Sequence, residues 1–196
     1  VHTFDKCFFM PSDLTAGLEY NRDRLKDNMW GYDRHTDQTV NIYSAFLQNE
    51  WKNERWSILV GGRLDKHNMV DNIIFSPRAN LRFNPTQNIN LRLSYSSGFR
   101  APQAFDEDMH IENVGGTVAM IERTKNLKEE KSQSFSASAD IYHRFGAFQT
   151  NFLIEGFYTK LTDVFVLGEP YNRGDGVLVK LRSNGPGAKV VGVTLE

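Results

Sequence analysis

The chain has 196 residues, of which 40% are hydrophobic and 24% are charged, and its formal net charge is −1. This composition excludes a simple disordered polymer. It also argues against nucleic acid as a partner, because phosphate binding needs a clustered positive face. The one cysteine, Cys7, cannot form an internal disulfide. No run approaches the roughly 18 apolar residues of a membrane helix, but a mean hydropathy of −0.48 permits half-apolar membrane strands.

Apolar and polar residues alternate along most of the chain with a period of two, the period of a strand that has one apolar and one polar face. Phe135, Ala137 and Ala139, for example, are separated by serines. We predict nine strands, at residues 1–9, 13–24, 37–51, 56–68, 75–84, 89–99, 131–145, 147–164 and 177–196. Several are on the order of 10–15 residues long, against about 5–6 for an ordinary globular strand, and that length suits a tilted strand crossing a bilayer.

The connections between the predicted strands are short and long in alternation. Tight turns are predicted at Met10–Ser12, Lys52–Arg55, Pro85–Asn88 and Gly146. Longer connections are predicted at 25–36, 69–74, 100–130 and 165–176. In an antiparallel up-and-down meander this places every tight turn at one end and every long loop at the other, which is typical of a transmembrane barrel.

Aromatic residues stand next to the tight turns, with Trp51 and Trp56 on either side of one of them and Phe145 and Phe148 on either side of another. Rings of this kind favour the boundary between membrane and water. Aromatic residues also cap hairpins in other β proteins, so both interpretations stay open.

The segment 106–112 is a local cluster of metal-binding side-chain types. Its carboxylates and one imidazole could hold Ca²⁺ or a transition metal, or the segment could be a solvated acidic loop. It lacks the glycine and the ligand spacing of a known calcium loop, so we assign no firm metal site. The candidate ligand-binding residues are Arg100, Asp106, Glu107, Asp108, His110 and Glu112.

Charged residues also occupy the polar faces of the predicted strands. They are Arg63, Arg78, Arg82, Arg92 and Arg144, with Asp65, Asp140 and Glu155. We expect ion pairs among them, and the alternative is a role in guiding an anionic cargo. None of the common enzyme motifs is present, so we expect neither catalysis nor a resident cofactor.

Four motifs in order resemble the barrel of TonB-dependent outer-membrane receptors, particularly those of Bacteroides-like Gram-negative bacteria. They are WSILVGGRLD at 56–65, GFRAP at 98–102, NLKEEKS at 126–132 and NGPGAKVVGVTLE at 184–196. The family segments usually read NP-NLKPE and N-G-A-x-x-x-G-V-E, so this chain departs from them at Thr124–Lys125, at Glu129 and at Thr194. The resemblance extends from about residue 37 to the end of the chain.

The resemblance implies a place in the outer membrane, as a multi-pass wall segment of a 22-stranded barrel. It also implies energised uptake of a siderophore, haem, cobalamin or a similar scarce ligand, with a plug domain and the TonB complex as partners. His110 lies between the GFRAP and NLKEEKS segments, where some haem receptors of the family carry a histidine, so haem ligation by His110 is a further implication. The chain begins at Val1 and ends inside an alternating run. We therefore expect residues 1–196 to be a barrel fragment without its plug domain.

Two functional hypotheses from different classes remain. The first is the outer-membrane receptor, whose apolar rows face lipid. The second is a soluble all-β ligand-binding module that buries the same rows in a core and uses its long loops for recognition. An outer-membrane hydrolase would need a Ser/His/acid set on the polar face, and we find none.

Overall fold

The computed structural model describes residues 1–32, 34–104, 112–114, 117–174 and 176–196. About three quarters of these residues lie in β-strands, which form a nine-stranded sheet and a five-stranded sheet. The predicted all-β antiparallel meander is confirmed by the larger sheet, which we call the wall. The wall runs from β1 at one edge to β14 at the other and does not close on itself within the described residues.

The strands follow one another along the chain with few interruptions. They are β1 (His2–Cys7), β2 (Met10–Met29), β3 (Arg34–Lys52), β4 (Trp56–His67), β5 (Ile74–Thr86), β6 (Ile89–Arg100), β7 (Glu112–Val114), β8 (Thr117–Arg123), β9 (Glu130–Phe145), β10 (Phe148–Thr162), β11 (Phe165–Leu167), β12 (Tyr171–Asn172), β13 (Leu178–Asn184) and β14 (Ala188–Leu195). The wall has the order β1-β2-β3-β4-β5-β6-β9-β10-β14. A 3-10 turn occupies Trp30–Tyr32, and no helix in the described part of the chain could span a membrane.

The register of the wall separates an apolar face from a polar face. Leu93 on β6 is the partner of Leu81 on β5 and of Ala137 on β9, so these side chains share one face. The neighbouring residue Ser94 is paired with Ser136 on the opposite face. Large side chains on the apolar face stay exposed, with Leu93 54% exposed. The wall therefore has an uncovered apolar surface rather than a hydrophobic core of its own.

Two rows of aromatic rings border this apolar face. Near the tight turns Phe9 stacks on Trp51 and Trp56 on Phe83, and near the other end Tyr20 stacks on Tyr43 and Tyr95 lies against Phe135. Tyr43 and Trp51 are eight residues apart on β3, or about 26 Å along the strand. A strand tilt of about 40° reduces that to about 20 Å, close to the apolar band of about 25 Å in outer-membrane barrels.

One predicted long connection, 25–36, is wrong. β2 continues to Met29 and β3 begins at Arg34, so the pair forms a hairpin that extends past the end of β4. The tip has no apolar alternation, and its ladder is supported instead by polar pairs such as Arg24 with Asp37, joined at 2.8 Å. Backbone pairing can continue where the apolar pattern that predicts a strand has ended.

The predicted ninth strand at 177–196 is also wrong, because two strands occupy this range. The break falls at Gly185–Gly187, where Pro186 has no N–H to donate to a ladder. A Cβ on Gly187 would lie 2.5 Å from the backbone oxygen of Leu161, so the chain passes β10 at a distance that only glycine allows. β14 joins the wall beyond this point, and β13 belongs to the smaller sheet.

Apart from β13, which lies in the predicted ninth strand, the smaller sheet forms within segments that were predicted as loops at 100–130 and 165–176. Its order is β11-β13-β8-β7, with β12 paired to β13, and β13 runs parallel to β8. Ala119, Met120, Ile121 and Val179 are buried in it, with Val179 fully covered. Unlike the wall, this sheet has a buried apolar core.

Candidate ligand-binding site

The smaller sheet meets the wall at the end opposite the tight turns, and we call this end the mouth. The β2–β3 hairpin, the connection 68–73 and the segment 101–104 meet there as well. A binding site built from long connections needs each of them held in place, so the contacts that join these parts determine the shape of the site.

The GFRAP segment joins the end of β6 to the connection between β4 and β5. Ala101 is 7% exposed and packs with Val70 and Ile74, and Phe99 packs against the same cluster. Removing these apolar side chains from water fixes the point at which the chain leaves the wall.

Polar contacts of the same segment and of Ala104, two residues after it, reach three further elements. The Arg123 Nη1 of β8 donates to the Pro102 oxygen at 3.0 Å, and the Ala104 N–H donates to Gln38 Oε1 of β3 at 2.8 Å. The Arg100 guanidinium lies over the Phe165 ring of β11, 5.7 Å from its centroid, within cation–π range. The segment therefore connects the wall with the hairpin and with the smaller sheet.

Asn184 makes the second junction of the mouth. Its Oδ1 accepts from the Lys128 N–H at 2.8 Å, and its Nδ2 donates to the oxygens of Lys128 at 3.0 Å and Asp163 at 2.7 Å. One amide thus satisfies backbone groups of two connections, one on each side of the β9–β10 hairpin. Two of the four motifs, NLKEEKS and the segment that begins at Asn184, are in direct contact here.

A cavity of about 760 Å³ opens between these parts. Its lining includes Met69 after β4, Pro102 after β6 and Ile121 on β8. Four of the lining side chains are cationic and one is acidic, and these are Arg34, Arg123, Lys125, Arg173 and Glu122. Arg173 and Glu122 form an ion pair at 3.2 Å. The positive excess favours an anionic or electron-rich ligand.

The cationic residues of the cavity were not predicted as site residues. They come from the β2–β3 hairpin, from β8 with the segment after it, and from the connection before β13, so no local motif marks them. In the sequence these residues share one property, which is that they lie beyond the mouth ends of predicted strands. Every other residue of the long connections has the same property, so it does not single them out.

Among the predicted ligand-binding residues, the structure places Arg100 at the last position of β6, beside Phe165. Glu112 is the first residue of β7. The other four, Asp106, Glu107, Asp108 and His110, lie outside the described residues. Within the described residues, no group of three His, Cys, Asp or Glu side chains could hold a metal ion.

The polar face of the wall carries a charge cluster that centres on Arg63. Its guanidinium donates to Glu19 Oε2, Asp65 Oδ1 and Ser44 Oγ, each at 2.8 Å. Asp65 is 3% exposed and also accepts from the Ser44 hydroxyl at 2.6 Å. The register places all eight predicted polar-face charges on this one face, and the expected ion pairing is present between Arg63 and Asp65.

A charge pair outside the wall stabilises the projecting hairpin. Arg24 donates from Nε and Nη2 to the two carboxylate oxygens of Asp37, at 3.3 and 2.8 Å. The hydrogen bond from Arg24 holds the pKa of the Asp37 carboxyl below its ordinary value. Both side chains are more than half exposed, so the pair is of the weak surface type.

Comparison with known proteins identifies one family. The family described as TonB dependent receptor-like, beta-barrel matches residues 2–196. No curated protein sequence matches the chain.

Several solved structures have a similar fold. The siderophore receptor PirA from Pseudomonas aeruginosa has a TM-score of 0.82 and 17% identity, over 98% of this chain and 37% of that chain. A mutant ferric enterobactin receptor (PfeA) from Pseudomonas aeruginosa, in complex with enterobactin, has a TM-score of 0.74 and 18% identity, over 94% and 30%. A double mutant of the Serratia marcescens hemophore receptor HasR, in complex with its hemophore HasA and heme, has a TM-score of 0.69 and 12% identity, over 94% and 36%. The chain thus spans about a third of the length of these receptors, and at such identities the likeness establishes the fold.

Proposed function

Because the chain belongs to the TonB-dependent receptor-like β-barrel family, we propose that it forms part of the wall and mouth of an outer-membrane receptor. The intact protein takes up a scarce ligand, and the energy comes from the TonB complex acting on a plug domain. Residues 1–196 are in this proposal a fragment of the barrel domain, and a plug and further strands come from outside them.

The observation that carries this proposal is the exposed apolar face between two aromatic rows. Val191 is 70% exposed and Leu93 54%, and burial of such side chains in a membrane removes the unfavourable contact with water. A soluble sheet would cover the same residues with a second layer. The rows of Trp51 and Tyr43 lie about as far apart as the apolar band of an outer-membrane barrel is tall.

For the ligand we propose an anionic, chelate-like molecule of the siderophore or haem type. Its proposed site is the mouth cavity, whose lining has four cationic side chains against one acidic side chain. Among the similar receptors, PirA is a siderophore receptor, PfeA is a ferric enterobactin receptor, and HasR is in complex with a hemophore and heme. We propose no catalytic step, no resident cofactor and no nucleic-acid partner.

We propose that the ligand-binding residues predicted from the sequence also contact the ligand. Arg100 lies near the cavity-forming segment Pro102–Ala104 and would contribute positive charge. Asp106, Glu107, Asp108, His110 and Glu112 would contribute oxygen or nitrogen ligands. A haem titration of the full-length protein and of its His110→Ala variant tests the haem hypothesis, and equal affinities would remove His110 as a haem ligand.

Detergent dependence of the full-length protein tests the proposed membrane location. We expect the protein to be monodisperse in a non-ionic detergent and to aggregate when the detergent is removed, because the apolar face is then bare. The soluble ligand-binding module is the alternative, and a monodisperse sample without detergent would favour it over the receptor.

A further inference from the structure

Two lysines face each other on the apolar side of the wall, immediately beyond its aromatic row at the mouth end. Lys160 on β10 is the register partner of Lys189 on β14, and the next pair on the same face towards the tight turns is Tyr158 with Val191. Both lysines are exposed. Among the described residues, the ammonium group of neither lysine has an ion-pair or hydrogen-bond partner.

Directly opposed like charges destabilise a pair of strands. A third cation is nearby, because Lys131 on β9 is the partner of Thr162, two residues beyond Lys160. Lys131 is already held by Glu129 at 2.9 Å. The pair Lys160 and Lys189 therefore leaves two positive charges on one face, with no compensating anion within the described parts of the chain.

An apolar groove of about 870 Å³ leads up to this pair along the same face. Its lining includes Phe135, Tyr158 and Val191, and its floor includes the register partners Ala137 and Gly156. The small size of these two residues leaves the space between the larger side chains. A Cβ on Gly156 would meet no atom within 4 Å, so the groove is open at that point.

We propose that Lys160, Lys189 and the groove form a binding site for a membrane lipid with a phosphorylated headgroup. The acyl chains lie in the groove, and the phosphate lies between the two ammonium groups, about 7 Å farther along the strands than Tyr158 and Val191. The anion then offsets the repulsion between the lysines. This inference rests on the proposed function, because it requires the apolar face to be in a membrane.

The test is a lipid titration of the full-length protein in a non-ionic detergent, followed by native mass spectrometry. The probes are phosphatidylglycerol and phosphatidylcholine with the same acyl chains, and inorganic phosphate in a separate arm. We expect phosphatidylglycerol to bind more tightly than phosphatidylcholine, and millimolar inorganic phosphate not to displace it, because free phosphate has no acyl chains. The double variant Lys160→Gln/Lys189→Gln should bind phosphatidylglycerol about thirtyfold more weakly.

The matched control is Lys26→Gln/Lys128→Gln, which removes two positive charges from exposed positions beyond the groove. It should retain the affinity for phosphatidylglycerol. A second variant, Gly156→Leu, fills the open part of the groove and should weaken the binding of both lipids about tenfold. This is the effect expected when about two methylene groups of an acyl chain are no longer buried.

Equal affinities of the double variant and the unaltered protein for phosphatidylglycerol would overturn the lipid site. So would displacement of the lipid by inorganic phosphate, which would identify a free-anion site instead. Either result leaves the membrane location intact, since the unaltered protein would still need detergent. A protein that stays monodisperse without detergent would overturn the proposed function itself.

Discussion

The wall and the smaller sheet at the mouth are both built from β-strands, but they are stabilised in opposite ways. Side chains on the apolar face of the wall stay about half exposed, as Leu93 does at 54%, and its strands are held by long antiparallel ladders. In the smaller sheet, Met120 and Val179 are buried on a short parallel pair. The wall is therefore suited to lipid on one side, and the smaller sheet to water on its outside.

This difference has a consequence for binding. A sheet that depends on its own ladders can be long and regular, but it offers few places at which side chains from distant segments converge. The mouth brings together the hairpin, the GFRAP segment and β8, and it encloses a cavity of about 760 Å³. The wall thus provides rigid strands, and the mouth provides a few polar junctions between its connections. This arrangement is expected of a scaffold that carries a binding site on its loops.

The largest expected effect is the loss of stability caused by a charge on the apolar face of the wall. We expect Leu93→Arg to destabilise the full-length protein in lipid by about 2–4 kcal/mol, the range for a cation near the middle of an outer-membrane barrel wall. Urea unfolding in lipid vesicles measures this change. The control is Ser94→Arg, one residue away on the polar face, where the register partners Asn80 and Ser136 are uncharged.

Ser94→Arg should change the free energy of unfolding little, because that side chain reaches water. If both variants unfold like the unaltered protein, the apolar face of the wall does not lie in lipid, and the contrast between the two regions loses its main support.

The next largest loss of stability is expected at the Asn184 junction, and this loss should be confined to the mouth. Asn184→Ala removes three hydrogen bonds to the backbone of Lys128 and Asp163. We expect a local loss of about 2–3 kcal/mol, at about 1 kcal/mol for each hydrogen bond. Hydrogen exchange of the full-length protein in detergent should become faster in β8 and β13 and stay unchanged in the β2–β3 ladder.

The matched control is Asn126→Ala, at an exposed asparagine in the same connection. Its exchange pattern should equal that of the unaltered protein. Faster exchange throughout the wall in the Asn184 variant would contradict the view that the two regions are stabilised separately.

The same contrast explains how much the sequence predicts. The wall strands follow from alternation, as in Phe135 to Ile141, because one face must be apolar and the other polar along the whole span. β13 is not predicted as a separate strand, because its partner β8 lies more than fifty residues earlier and nothing local encodes that parallel pairing. The tip of β2 beyond Arg24 is missed because Lys26, Asp27 and Asn28 interrupt the apolar pattern.

The candidate site was predicted less completely than the fold. Arg100 was predicted from a motif, and the structure places it at the mouth end of β6 but not among the residues that line the cavity. Arg34, Arg123 and Arg173 line the cavity and were not predicted, because a single arginine in a loop has no signature until folding brings the loops together. A binding site assembled from distant segments depends on tertiary contacts, whereas a wall strand depends on a pattern of period two.

Arg63 tests the polar face of the wall. Arg63→Met would leave Asp65, whose side chain is 4% exposed, with the Ser44 hydroxyl as its one side-chain hydrogen-bond partner among the described residues. We expect a loss of about 1–2 kcal/mol, below the value for a fully buried pair because the Arg63 side chain is 35% exposed. Urea unfolding in detergent measures it, with Arg78→Met on the same face as the control. Equal urea midpoints for the two variants would show that the charge cluster around Arg63 adds nothing to the stability of the wall.

The projecting hairpin gives the smallest effect, because it is held by a ladder like the wall but lies beyond the apolar band. Arg24 lowers the pKa of Asp37, so the charged carboxylate is favoured in the folded hairpin. This contribution is fully present above the ordinary value of 3.8 and is lost as the pH falls through the lowered pKa. Asp37→Asn should therefore speed hydrogen exchange at the hairpin tip slightly at neutral pH and should make no difference in strong acid, where the unaltered carboxyl is protonated. An equal effect of the variant at both pH values would mean that the side-chain amide disturbs the ladder itself, and the charge pair would then have no part in extending these two strands past the wall.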